Sequence, residues 1–324
     1  NALEQEIVRE YFDETAGFVF NEAQSIVTLD TYDIHNRALD STIKSYTNAS
    51  FETFDNEMQH VMYLEYDKFG NVERQTIDTY TTETADINNQ VDHKLIENTY
   101  TTLIAQRRGN ADLSVVTRSD KGGNFIDRST TTTTDFDDRG FAVDQNIITE
   151  VWDKTLATPV FVITEKKEIH NIDIDNRGDA ETQTIKSSIS NDNGASYEEV
   201  TFQVLTNRDF DSDHNIENQM ILTYAGQAGY ELDKSDVLDA QEIRSSGFTS
   251  SGVAAIQTIA TFAAYNESTN TKGDLIDVKV IENSGVSLLG YVGQSIITRY
   301  SALDNYDGLG GELAALAVSA VDRQ

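Results

Sequence analysis

The nearest approach to a metal motif is a run of acidic residues at alternating positions. Asp209, Asp211, Asp213 and Asn215 match the first ligands of a calcium loop, which takes oxygens from positions 1, 3, 5 and 7. His214 stands where that loop turns sharply on Gly, and Met220 where it needs a bidentate Glu, so an EF-hand is excluded. Asp173, Asp175, Gly178 and Asp179 match in the same way and fail at Thr184. The plainer reading is a strand end of the form Asp-x-Asp running into its turn. Calcium is the one candidate ligand, and no other cofactor is implied.

Other chemistries find less support. The five histidines, His35, His60, His93, His170 and His214, lack the short paired spacings of metal sites. No Gly-x-Ser-x-Gly elbow accompanies a serine nucleophile. Carboxylate pairs of the glycosidase kind are too abundant among 55 Asp and Glu to single one out. Trp152 is the only tryptophan, and there is no cysteine, which removes disulfides, zinc–thiolate sites and thiol nucleophiles. Arg107-Arg108-Gly109-Asn110 is the only local basic cluster and reads as a loop.

A formal charge of −31 repels phosphate backbones and anionic headgroups, which argues against nucleic acid and anionic membranes as partners. No apolar run approaches the ~20 residues of a membrane span. The opening residue is Asn1 rather than Met, which fits either a processed mature protein or a fragment of a longer chain; a removed signal peptide would explain it, and the expected location is extracellular or at the cell surface. A single proline among 324 residues leaves the turns to Gly, Asn and Asp, which tolerate positive φ.

Between the turns, Thr, Ile, Val, Tyr and Phe favour strands. The best helical windows, residues 2–11 and 312–321, lie at the termini. The expected fold class is all-β.

What would position any of these residues is a repeat. With Asp67 as position zero, Tyr66 precedes it, Gly70 lies at +3, Gln75 at +8, Ile77 at +10 and Tyr80 at +13. The frame recurs from Asp33, Asp137, Asp175, Asp211, Asp233 and Thr249. It supplies Gly140, Gly178 and Gly252 at +3, and Gln145, Gln183, Gln219, Gln241 and Gln257 at +8. Every copy has Ile at +10, among them Ile147 and Ile185. Weaker copies start at Asp86 and Asp120.

The step is roughly 16–22 residues, so about 17 steps fill the chain. Each step reads as strand, Asp-x-x-Gly turn, strand. The Asp accepts from the backbone two residues on, and the +3 residue takes the left-handed conformation. Gln75 and Ile77 share one strand face, expected to be the inward one, where stacked glutamines could bond one another as a ladder; the alternative is a solvent-facing Gln in a thin sheet.

The expected architecture is an elongated antiparallel β-hairpin repeat array, meander-like or solenoid-like. It comprises an N-terminal segment (1–28), one continuous repeat domain (29–302) and a Gly/Ala-rich C-terminal segment (303–324). Both end segments are candidate subunit interfaces.

The units Tyr66-Asp67-Lys68-Phe69-Gly70-Asn71 and Phe136-Asp137-Asp138-Arg139-Gly140 resemble the YD (RHS-type) repeats of bacterial surface and toxin-shell proteins. The resemblance implies long antiparallel sheets in shells or extracellular fibrous regions, and no catalytic residue to carry over.

The function expected is non-enzymatic: a secreted repeat subunit assembling head-to-tail with itself into a filament or surface layer, with divalent cations as modulators. The alternatives are a carbohydrate-binding or polysaccharide-cleaving β-solenoid, and an adhesin or toxin-shell fragment.

Overall fold

The computed structural model describes residues 3–13, 17–28, 31–156, 158–176, 178–211, 215–232, 234, 237–249, 252–266, 269, 271–286, 292–304, 314–315 and 320–323. The fold is all-β. Successive strands pair antiparallel in a meander, and eighteen belong to one sheet. Two compact units divide the chain: residues 1–168 with 189–198, and residues 169–188 with 199–324.

The first unit contains β1 (Glu4–Asp13), β2 (Gly17–Val27), β3 (Asp40–Tyr46), β4 (Phe54–Tyr66), β5 (Val72–Tyr80), β6 (Gln90–Thr99), β7 (Leu113–Ser119), β8 (Phe125–Phe136) and β9 (Ala142–Asp153). It also holds the first part of β10 (Val160–Ile174). Each of β1 to β8 pairs with the next strand in sequence, and β9 pairs with β10.

The second unit holds the rest of β10, most of β11 (Ala180–Ile189), β12 (Glu198–Phe210), β13 (Ile216–Tyr224), β14 (Val237–Phe248) and β15 (Ala254–Phe262). A small hairpin of β16 (Tyr265–Asn266) and β17 (Thr271–Lys272) follows, then β18 (Leu275–Val286) and β19 (Val292–Tyr300). Near the C-terminus, β20 (Leu303–Asp304) pairs with β21 (Ala314–Ala315), and β22 (Ala320–Arg323) closes on β19.

The terminal helical windows are corrected by this pairing. Residues 4–11 lie in β1, in register with β2 from Glu4↔Val27 to Phe12↔Phe18, so the hairpin partner overrides a weak helical pattern. Of residues 312–321, those described lie in β21 and β22.

The helices sit in connections: α1 (Leu103–Arg108) and α2 (Gln227–Leu232). Thr102 caps α1 by accepting from Ala105 N at 3.2 Å, and Gly109 ends it at φ 77°, a Thr start and Gly stop of the expected kind.

The face assignment is corrected as well. In the second unit the core is Phe202, Val204, Met220, Leu222, Tyr224, Ala240, Ala260, Phe262 and Val278. Met220, Leu222 and Tyr224 are +9, +11 and +13 of the Asp211 frame, whereas Gln219 and Ile221 lie on the opposite, half-buried face. The aromatic at +13 is the recurring anchor: Tyr46, Tyr80, Tyr224 and Phe262 are all buried, each contributing roughly 1.5–3 kcal/mol.

Candidate functional site

The recurring Asp turns share one geometry. The Asp N–H donates to the carbonyl of the residue at +4, and the +3 N–H donates back to the Asp carbonyl, at Asp33, Asp67, Asp120, Asp137 and Asp175. The +3 residue is left-handed: Asn36 at φ 62°, Gly70 at 93°, Gly123 at 75°, Gly140 at 94°, Gly178 at 101° and Gly252 at 76°. This is a tight turn closed by a left-handed bulge residue, a hairpin solution in which Gly or Asn is the unstrained choice.

The carboxylates are occupied by the turns. At Asp33, Asp67, Asp120 and Asp137, Oδ1 accepts from the N–H groups at +2 and +4 at 2.7–2.9 Å. Oδ2 accepts from Arg37 Nε at 2.7 Å, Asn71 Nδ2 at 2.9 Å, Asn124 Nδ2 at 3.0 Å and Arg139 Nε at 2.8 Å, respectively. The Arg37 N–H leads the donors that hold the Asp33 carboxyl down at about 2. The Asn124 side chain does most to lower that of Asp120. At Asp67 and Asp137 burial pushes the other way, and the N–H donors outweigh it. A carboxylate so saturated is a weak base and a poor metal ligand.

The candidate calcium loop follows this pattern. Asp211 accepts from Asn215 N at 2.8 Å and from its Nδ2 at 2.9 Å, so two of the four candidate ligands bond each other. Asp209 lies opposite Asn218 on β13. Asp213 and the Asp233 turn start lie outside the described residues. Asp173, Asp175, Asp179 and Glu181 border a shallow cleft of about 400 Å³ with Arg208, and Asp175 Oδ1 is taken by the N–H groups of Gly178 and Asp179. Among the described residues no group of three or more His, Asp or Glu is placed to hold a metal ion.

The turns are also tied to their neighbours. Arg37 reaches from its own turn to donate to Asp67 O at 3.0 Å, over the Tyr66 ring. Asn71 Nδ2 donates to Gln106 O on α1 at 2.7 Å, and Asn110 Nδ2 donates to Gly140 O at 2.6 Å. The basic cluster thus belongs to a brace between the turns at Asp67 and Asp137.

Among the described residues the glutamines at +8 form no Gln–Gln ladder; most bond a polar residue twelve positions earlier on the paired strand. Gln183 donates to Asn171 Oδ1 at 2.7 Å, Gln219 to Asn207 Oδ1 at 2.7 Å, Gln257 to Ser245 Oγ at 3.1 Å and Gln145 to Thr133 Oγ1 at 3.3 Å. Gln241 donates to Asp239 Oδ2 at 3.2 Å on its own strand, and Gln75 is half-buried opposite Tyr63. The chain of bonds goes on: Asn207 Nδ2 donates to Ala180 O at 2.8 Å, and Asn283 Nδ2 to Ala254 O at 2.9 Å. Each such Asn joins its own hairpin to the carbonyl five residues past the preceding turn start.

Ile77, Ile147 and Ile185 are half-buried beside these polar residues.

Two histidines have acidic partners that spacing did not reveal. His60 Nε2 lies 2.8 Å from Asp40 Oδ2, and His93 Nδ1 lies 2.7 Å from Asp78 Oδ1. Ser119 stands opposite His93, which sets an Asp–His–Ser order across three strands, but Ser119 is buried and out of reach of a substrate carbonyl. Cross-strand register is the missing signal, since these residues are 15 and 26 positions apart.

No helix among the described residues is long and apolar enough to cross a membrane. No family model matches the chain, and no curated protein does. Among solved structures the chain is similar to one described as "Crystal Structure of TcdB2-TccC3-TEV", at 14% identity and a TM-score of 0.17. That likeness covers 90% of this chain and 16% of the other.

Proposed function

We propose that the chain is a non-enzymatic structural protein, a secreted repeat subunit that extends its sheet head-to-tail with further copies into an extracellular filament or surface layer. The carrying observation is how the recurring polar residues are used. Asp, Gly and Asn shape the turns, and the Arg, Asn and Gln bonds fasten one hairpin to the next.

Assembly would use the outer strands. Among the described residues β1 pairs with β2 on one side and β22 with β19 on one side, and a strand edge of this kind offers backbone N–H and C=O groups to an added strand. Direction suits the addition. β22 runs toward the end of its unit that carries the Asp175, Asp211 and Thr249 turns, and β1 runs away from the end of its unit that carries the Asp33, Asp67 and Asp137 turns. With those two turn-bearing ends aligned, the β1 of one copy would run antiparallel to the β22 of another. The contact is heterologous and does not close.

Charge sets the conditions. β1 carries Glu4, Glu6, Glu10 and Asp13 against Arg9, and the whole chain −31, so salt and divalent cations should promote assembly by screening. The test is proline at Ile7 and, separately, at Val8, since one of these adjacent N–H groups points away from β2. One variant should fold normally and lose assembly. Undiminished assembly in both would refute edge addition.

A second reading has one observation in its favour. Phe125, Trp152 and Phe161 gather with ring centroids 4.8–5.3 Å apart, and Phe125 is 41% exposed, which gives a small platform of the kind that stacks sugar rings. Retardation on a neutral or acidic polysaccharide gel, abolished by Trp152→Ala, would favour carbohydrate binding over assembly.

A further inference from the structure

In the second unit Glu242 on β14 is completely buried, at 0% exposure. Three cationic side chains close on it. Lys272 Nζ lies 2.9 Å from Oε2, Arg244 Nη2 3.0 Å from Oε1 and Arg208 Nη1 3.6 Å from Oε1. Beside this carboxylate three buried polar atoms have no hydrogen-bond partner: Arg208 Nη1, Arg244 Nε and Asn218 Oδ1. Asn218 is 3% exposed and stands opposite Arg244 on the neighbouring strand. Both guanidinium groups lie within 4 Å of the same carboxylate oxygen and Asn218 is the cross-strand partner of Arg244, which gathers these three atoms into one buried neighbourhood.

Leaving such groups unsatisfied is costly, and more so for charged donors than for neutral ones. We infer that a small monovalent inorganic anion, of the size of chloride, occupies the space between Arg208, Arg244 and Asn218. It accepts from Arg208 Nη1 and Arg244 Nε. A half-turn of the Asn218 amide exchanges its oxygen for Nδ2 and supplies a third donor. Glu242 brings one negative charge to the three cations within 4 Å of it, and the anion adds a second beside Arg244 and the inner side of Arg208, whose outer side borders the acidic cleft of Asp173, Asp175, Asp179 and Glu181.

The consequence is structural. Arg208 Nη2 donates to the Tyr265 hydroxyl at 3.3 Å, and Lys272 belongs to β17. The anion therefore helps fasten the β16–β17 hairpin across the sheet face formed by β12, β13 and β14. The −31 chain as a whole repels chloride, so a chloride-specific stabilisation reports the site rather than bulk attraction.

The test is thermal unfolding of the full chain at constant ionic strength, with sodium chloride exchanged for sodium gluconate, whose anion is too bulky to fit between the two guanidinium groups. The midpoint should rise by several degrees with chloride and saturate. Arg208→Met should flatten that dependence, and Arg299→Met, which removes an exposed partner of Asp277, should keep it. Crystals grown in bromide should show an anomalous peak between Arg208 and Arg244, a readout that stands even if Arg208→Met fails to fold. Superimposable chloride and gluconate curves, or water alone in place of bromide, would overturn the inference.

Discussion

At the scale of single residues, an Asp turn does not need a metal to explain its carboxylate. Asp67 accepts from Phe69 N, Asn71 N and Asn71 Nδ2, so Asp67→Ala should cost about 1–2 kcal/mol, read as a lower unfolding midpoint. Asp67→Asn, which keeps an acceptor able to form the same turn, should cost less.

The glycines separate two causes of strain. Gly70 (φ +93°) and Gly140 (φ +94°) both need the left-handed region, but a Cβ at Gly70 meets nothing within 4 Å while one at Gly140 meets Arg108 Cγ at 2.6 Å. Gly140→Ala should therefore destabilise more than Gly70→Ala, by about 1 kcal/mol for the displaced brace.

The turns also set the response to acid. The carboxyls of Asp33, Asp67, Asp120 and Asp137 are lowered by folding. Their stabilisation is complete above the unfolded value of about 3.9 and is lost as pH falls through the folded values. Denaturant titrations should find stability falling from about pH 4 toward the Asp33 value of about 2. A flat profile over that window would contradict the turn geometry.

Turns were legible in the sequence because an Asp that bonds the backbone two and four residues on is a local event.

At the scale of strands and hairpins the repeat frame carried less information. The Gln-x-Ile pair marks a strand, but alternation alone does not say which face is covered. The core residues Met220, Leu222 and Tyr224 interleave with Gln219 and Ile221, and only the packing of the second unit's other strands decides between the two sets. Terminal windows failed for a related reason: the window 2–11 reads as a helix until β2 is present to pair with its residues 4–11. The Glu242 cluster was invisible because its members span Arg208 to Lys272.

The prediction at this scale concerns the relay from Gln219 through Asn207 to Ala180 O. Asn207→Ala and Gln219→Ala should each destabilise by about 1 kcal/mol. Because Gln219 acts through Asn207, the double variant should cost clearly less than the two singles together. Additive losses would mean that the two side chains act independently.

At the scale of the whole molecule, the recurring features are turns, braces and cross-strand bonds. The YD-type resemblance implies extended sheets, and the meander has them. The remaining question is whether copies join. Multi-angle light scattering of the full chain, from low salt to high salt and with millimolar calcium, tests this directly. The proposal predicts masses that grow with protein and cation concentration in multiples of 36.0 kDa, seen as unbranched filaments in negative stain. A monodisperse 36.0 kDa species under every condition would contradict it.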